Sequence, residues 1–346
     1  MQKNSKTCLG CGAVLQNIDI EKEGYVKSLD QPFCMHCFKL MHYGKGDIHF
    51  HPDKLPTFKK DALIVLVSSV LYLDTILTSE VKRLAEDYHV VHLINQIDLL
   101  PDSTHRNYLL GKIQKQFNRF RVAYDEIILM SALNKFDIEN LKNYLLDSKY
   151  KEVYFIGLQN SGKTTIFKAL TGNKEALALK KAALTQTILS GELEGIKIYD
   201  TPGLYQEGYL HEFFPYEVYK DLLPSNQFKP KNGKLEKGDA ILIDGLAAVS
   251  ILKGSTTSVF YGSESIKLHP TKAEKVADLL QNKQVVNVNF DEYKSSEFAL
   301  KEDVKYQITF ADFGFMILTG PVTIKIDTHP NLHITVIEAS IRWLMK

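Results

Sequence analysis

No cysteine occurs after residue 37 of this 346-residue chain, no apolar run is long enough to span a bilayer, and neither sign of charge is in excess. Each absence narrows the reading. The longest apolar stretch, around Ala62 to Val70, is interrupted by Ser68 and Ser69, well short of the roughly 20 residues that a membrane helix needs. The opening Met-Gln-Lys-Asn-Ser-Lys-Thr has no apolar signal-peptide core, so a soluble, cytoplasmic protein with no membrane partner is expected. With 42 basic against 41 acidic residues the formal net charge is +1, and no global field draws the chain onto nucleic acid or an anionic lipid surface. Any RNA contact must be local. Internal repeats and low-complexity tracts are missing too.

The cysteines that are present form two Cys-x-x-Cys pairs, Cys8/Cys11 and Cys34/Cys37, separated by 22 residues. That spacing suits a treble-clef-like or knuckle module closing on one tetrahedral Zn2+. Residues 1–50 have no long apolar run, and a module this small needs a staple other than burial. Gly10 and Gly12 suit a tight turn whose amides point at sulfur. Four thiolates fill a zinc shell, so His36 and His42 read as ordinary histidines and the site as structural, not catalytic. A reducing compartment disfavours disulfides, and redox pairs would need a thioredoxin-like βαβ context.

After a linker at Pro52 to Pro56, apolar runs alternate with amphipathic stretches up to about residue 225: Ala62–Val67, Val90–Ile94, Glu126–Met130, Val153–Ile156 and Ile196–Tyr199. These predict strands of a mostly parallel α/β sheet with helices between them. Beyond that the texture changes to short β-rich segments, such as Ala240–Ile243, Thr257–Tyr261, Gln284–Val288 and Val322–Ile326. Three domains are expected: a zinc-binding module over 1–50, an α/β domain over 51–225 and a β-rich domain over 226–346.

Each motif follows a predicted strand, where open α/β sheets place their ligands. Gly157-Leu-Gln-Asn-Ser-Gly-Lys-Thr164 is a phosphate-loop pattern. Gly157 and Gly162 permit the loop's backbone angles, Lys163 neutralises β and γ phosphates, and the Thr164 hydroxyl ligates Mg2+. Ser161 and Thr165 complete the loop's candidate nucleotide contacts. Asp200-Thr-Pro-Gly203 then supplies a carboxylate for Mg2+ and an amide, that of Gly203, able to sense the γ phosphate. Thr187 is the choice for a metal-sensing threonine, with Thr185 the alternative and a plain polar loop still open.

Asn95-Gln-Ile-Asp98 reads as a guanine-recognising loop: Asp98 accepts from the base N1–H and exocyclic amine, while Asn95 braces the loop. Gln96 stands where a lysine stem would cover the purine. Ser131-Ala132-Leu133 is placed to meet the guanine oxygen. This base reader precedes the phosphate loop, the reverse of the ordinary order. A P-loop GTPase domain broken after its Asp-Thr-Pro-Gly element and rejoined at its natural ends would give it, a circular permutation.

With Cys-Leu-Gly-Cys-Gly-Ala-Val-Leu-Gln, Phe-Cys-Met-His-Cys-Phe-Lys-Leu-Met-His-Tyr, Asp244-Gly-Leu-Ala and the Lys267 to Leu279 stretch, these motifs resemble the YqeH family of bacterial ribosome-assembly GTPases over nearly the whole chain. The resemblance implies a GTP-binding and GTP-hydrolysing, nucleotide-switched factor acting on the small ribosomal subunit or its precursor, through rRNA or ribosomal protein, and monomeric when free. It also implies that Asn160 is a K+ ligand, although from the residues alone Asn160 equally reads as a brace for the loop. Gln96 and Thr185-Gln-Thr187 depart from the family pattern. Leu204 stands where Ras-like enzymes orient water with glutamine, so intrinsic turnover is expected to be slow. An RNA- or ribosome-binding scaffold with GTP as a structural ligand is the alternative. Residues 226–346 carry 15 Lys or Arg and 14 Asp or Glu, hardly a basic domain, with Lys229, Lys231, Lys234 and Lys237 the one candidate strip.

Overall fold

The computed structural model describes residues 6, 8, 14–20, 22, 24–32, 34–35, 58–78, 84–172, 188–204 and 206–339. Cys11, Cys37, His36, His42, the 52–56 linker, Thr185 and Thr187 lie outside them. The chain divides into two units: Met1–Asp98, Phe117–Gln206 and Pro215–Glu217 form one, and Leu99–Gln116, Glu207–Phe214 and Val218–Lys346 the other.

The first unit holds strands β1 (Leu63–Ser69), β2 (His89–Asn95), β3 (Glu126–Leu129), β4 (Glu152–Gly157), β5 (Leu189–Leu193) and β6 (Ile196–Asp200). Their sheet order is β3-β2-β1-β4-β6-β5, parallel throughout except for the β5–β6 pair. Helices in chain order are α1 (Leu73–Thr78), α2 (Arg106–Phe120), α3 (Lys135–Asp147) and α4 (Lys163–Thr171). The apolar run of β1 is continuous because both faces of the sheet are covered. Leu63, Val65 and Val67 face Leu141 and Leu145 of α3 and Ile166, Phe167 and Leu170 of α4, whereas Ile64 and Leu66 pack on the other face with Phe58, Ile76 and Tyr154. Burying each such side chain contributes roughly 1.5–3 kcal/mol of transfer free energy, which fixes the sheet register and so the positions of the loops at its carboxyl edge.

In the N-terminal segment Cys8, Leu15, Val26 and Cys34 form a small buried cluster. The Cys34 amide donates to Cys8 Sγ at 3.1 Å, and the Val26 amide to Gln16 O at 2.8 Å.

The second unit contains α5 (Tyr216–Leu222, whose first two residues count with the first unit), α6 (Val276–Leu280) and strands β7 (Lys231–Glu236), β8 (Asp239–Ile243), β9 (Ala247–Gly262), β10 (Leu268–Lys272), β11 (Lys294–Leu300), β12 (Lys305–Phe310), β13 (Gly314–Thr319), β14 (Val322–Thr328) and β15 (Ile334–Glu338). The 16-residue β9 is its spine: the first half lies between β8 and β14, the second between β7 and β13. Gln284–Val288, expected as a strand, is not one. Asp244, at φ 50°, accepts from the Asn287 amide at 2.6 Å, the Asn287 side chain at 2.9 Å and the Val288 amide at 3.4 Å. A carboxylate that collects these donors holds the segment as a turn against its β-branched propensity.

The Glu207–Phe214 segment also belongs to this unit. Gly208 O accepts from the His333 amide at 2.9 Å, and the Leu210 amide donates to Asp312 Oδ1 at 3.0 Å. Burial raises the Asp312 carboxyl to about 6, against the opposing pull of the bond from the Leu210 amide and of its own backbone amide. Three of the four strip lysines are engaged locally: Lys229 with Glu264 at 2.6 Å, Lys234 with Glu236 at 2.8 Å, and Lys231 Nζ on Ile266 O at 2.6 Å. Among the described residues no helix is long and apolar enough to cross a membrane.

Candidate functional site: a phosphate loop beside a base-reading loop

β4 runs into the loop 158–162, and α4 begins at Lys163. Glycine is required at both ends of this turn. Gly157 has φ 156°, and a Cβ there would lie 1.9 Å from Val67 O; Gly162 has φ 89°, and a Cβ would lie 2.2 Å from Asn95 Nδ2. The loop therefore sits as close to β1 and β2 as backbone allows, with the α4 amides behind it.

Lys163 is buried, its ammonium donating to Gly157 O at 2.9 Å and Leu158 O at 3.1 Å. Burial lowers its pKa to about 8, with Asp200 pulling the other way. Asp200, at the end of β6 and fully buried, is pushed up to about 6 by burial, opposed by Lys163 and by the Thr164 hydroxyl, which donates to Asp200 Oδ2 at 2.7 Å. Its other oxygen, Oδ1, has no hydrogen-bond partner among the described residues. A hydroxyl and a carboxylate side by side, one oxygen still unengaged, are the hard donors that Mg2+ takes. These residues fit that ion.

Thr201 is pinned to β4, its amide and hydroxyl both donating to Phe155 O at 3.1 and 2.9 Å. Gly203 lies against Gln159, and the Leu204 amide donates to Gly157 O at 2.9 Å. The Asp200–Gly203 element is thus stitched directly to the phosphate loop.

Asn95, at the end of β2, makes the connection that matters most. Its Nδ2 donates to Ser161 O at 2.8 Å, and its Oδ1 accepts from the Ala132 amide at 2.9 Å. A single buried amide therefore joins the phosphate loop to the Ser131–Leu133 loop. Gln96, at φ 63°, donates from Nε2 to Asn160 O at 3.1 Å. Asp98 stands exposed on the 3-10 turn Ile97–Leu99. Ser131 is buried, whereas Leu133 is 76% exposed beside the base-reading loop. Asn160 is at φ 59°; its Oδ1, Gln96 Oε1 and Ser161 Oγ are all buried without a hydrogen-bond partner among the described residues. Polar atoms left unmatched at this density belong to a site built for a polar ligand. Thr165 lies half-buried in the first turn of α4.

Asp137 is a residue the motifs did not reveal. Its carboxylate accepts from the Ser131 amide at 2.9 Å, while Asn134 caps α3 by accepting from the Phe136 and Asp137 amides at 2.9 and 3.4 Å. The signal in the sequence was the Asn-x-x-Asp pattern at a helix start. Of the metal-binding cysteines expected, Cys8 and Cys34 come together, while Cys11 and Cys37 lie outside the described residues, among which no cluster of metal-ligating side chains occurs.

Comparison with known proteins agrees with this geometry. A protein-family model described as "50S ribosome-binding GTPase" matches residues 152–229. The chain is 23% identical over 338 residues to the uncharacterized protein YqeH of Bacillus subtilis (strain 168), covering 89% of this chain and 92% of that protein. It is also 24% identical over 332 residues to NO-associated protein 1, chloroplastic/mitochondrial, of Arabidopsis thaliana, covering 77% of this chain and 58% of the relative. The chain thus carries a GTPase domain and is similar to YqeH along most of its length.

Proposed function

We propose that this chain is a circularly permuted GTPase that binds and hydrolyses GTP while serving assembly of the small ribosomal subunit in the cytoplasm. The observation that carries the reading is the Asn95 bridge, with Ser161 O on one side and the Ala132 amide on the other. It ties a base-reading loop to a phosphate loop that follows it in the chain, as a permuted domain requires. Support for the permutation also comes from the order β3-β2-β1-β4-β6-β5, in which the base-reading strand β2 precedes the phosphate strand β4 in sequence, runs parallel to it and ends at the same carboxyl end of the sheet.

In this reading Lys163 neutralises charge that develops on the leaving diphosphate when water attacks the γ phosphorus and the bridging bond breaks. Thr164, Asp200 and Thr187 would hold Mg2+, which supplies further charge neutralisation there. Asn160 Oδ1, unmatched at the loop's shoulder, is the proposed K+ ligand. Leu204 offers no group to orient water, so basal turnover is slow, an observation that also favours the second reading of a ribosome-binding scaffold with GTP as a structural ligand. The partner is proposed from the family resemblance, and because the matched family is described by the 50S particle, both subunits belong in the test.

Turnover in K+ and Na+ buffers, with and without each ribosomal subunit, separates these readings. The expected result is stimulation by K+, lost in Asn160→Ala, and a further rise with the small subunit or its precursor. Equal rates in both salts remove the K+ ligand; rates unmoved by any subunit leave the scaffold.

Cys8, Cys11, Cys34 and Cys37 are proposed to hold one structural zinc, supported by the Cys34 amide on Cys8 Sγ, the donor that stabilises a thiolate ligand. Elemental analysis is expected to find one zinc per chain and less in Cys34→Ser; zinc-free protein that keeps its fold would refute it.

A further inference from the structure

The phosphate loop is held on two flanks. On one, Asn95 Nδ2 and Gln96 Nε2 donate to the consecutive carbonyls Ser161 O and Asn160 O, at 2.8 and 3.1 Å. On the other, Leu158 pairs with Leu204 in a parallel bridge, and the Leu204 amide donates to Gly157 O at 2.9 Å. That second attachment brings Gln159 against Gly203: a Cβ built on Gly203 would lie 3.0 Å from Gln159 Cγ and 3.2 Å from its Cα. Gln159 is buried. Leu204 itself packs against the apolar cluster that includes Ile64, Leu66, Tyr154 and Ile156. All of these residues belong to the first unit.

We propose that Gln159 is a catalytic residue, the side chain that orients the attacking water in GTP hydrolysis. The inference rests on the GTPase reading above and names the group behind its basal rate. Chemistry takes place at the terminal phosphate, on the flank where Asp200 and Gly203 stand. Gln159 is the loop side chain pressed against that element. An amide carries both functions required there, an oxygen that accepts from water and an NH2 that donates to a γ-phosphate oxygen. In the step, the water oxygen bonds to the γ phosphorus as the bond from that phosphorus to the β–γ bridging oxygen breaks. The electron pair leaves with GDP, and one water proton passes to a γ-phosphate oxygen, giving dihydrogen phosphate. Gln159 neither gains nor loses a proton. Confined within a tight turn between Gly157 and Gly162, it is ordered before the reaction begins, which lowers the cost of aligning the water.

The test is steady-state GTP turnover and GDP binding by the full chain in K+ and Mg2+, with circular dichroism to establish that each variant folds. Gln159→Leu keeps a stem against Gly203 and removes both polar ends. Its kcat is expected to fall about tenfold to a hundredfold, while KM and GDP affinity stay within about twofold. Gln159→Ala, which removes most of the side chain, should show the same split. Turnover in Gln159→Leu equal to the parent's overturns the assignment. Faster turnover in Gln159→Ala also overturns it, because the side chain would then be obstructing Gly203. A loss of GDP affinity in proportion to kcat does so too, since the glutamine would then be a brace for the loop. A parent that hydrolyses no GTP defeats the enzyme reading itself, a different failure and one visible before any variant is made.

Discussion

Replacing Lys163 by alanine is expected to weaken binding of GTP and GDP by roughly a hundredfold to a thousandfold. The ammonium is buried and satisfied by two loop carbonyls, Gly157 O at 2.9 Å and Leu158 O at 3.1 Å. Those carbonyls hold it at the spot where phosphate oxygens are proposed to arrive. Burial already costs it protonation, lowering its pKa to about 8. A polyphosphate would return the favourable charge partner that Asp200 alone supplies in part. Each hydrogen bond between charged groups is worth about 1.5–3 kcal/mol, and losing two at the lower end of that range gives the stated loss. Lys168, on the last turn of the same helix, is the control: Lys168→Ala should leave affinity within about twofold, since none of the site contacts among the described residues involves its side chain. Titration with a fluorescent GDP analogue, alongside circular dichroism to establish that the variant folds, measures both. An affinity in Lys163→Ala equal to the parent's would show that the loop does not hold phosphate.

Asp98→Asn is expected to change which base is bound. A carboxylate presents two acceptors to the N1–H and exocyclic amine of guanine; an asparagine presents one acceptor and a donor, which meets a donor. An unmatched pair in a recognition site costs about 1–3 kcal/mol for each group, so GDP affinity should fall by about a hundredfold or more. Xanthosine diphosphate has an oxygen where guanine has the amine, and should bind Asp98→Asn more tightly than it binds the parent. Competition among the diphosphates reads this directly. Because Asp98 is exposed and no described hydrogen bond uses its carboxylate, the substitution should leave the melting temperature unchanged. GDP binding equal to the parent's would contradict the role.

The features legible in the sequence were those set by local spacing. Gly157, Gly162 and Lys163 define their loop within eight residues, and the strands before each motif announce themselves as apolar runs. The Asn95 bridge was only half legible: that asparagine was expected to brace its own loop, but its two partners depend on β1 lying between β2 and β4, which no local pattern encodes. Asp137 was missed because its role at Ser131 depends on the path of the chain into α3. Gln284–Val288 was misread because three donors on Asp244, some forty residues earlier in the chain, override its β propensity. The membership of Leu99–Gln116 and Glu207–Phe214 in the β-rich unit was likewise invisible, since both follow motifs of the GTPase domain in sequence and contact Phe228, Asp312 and His333 only through tertiary packing.

The proposal that one pocket recognises a guanine base and a polyphosphate together is tested most directly by isothermal titration calorimetry of the purified chain with GDP and with ADP, both in Mg2+. The account predicts GDP binding at least about a hundredfold tighter than ADP, because adenine offers no donor pair to Asp98. Equal affinities for the two nucleotides would contradict it.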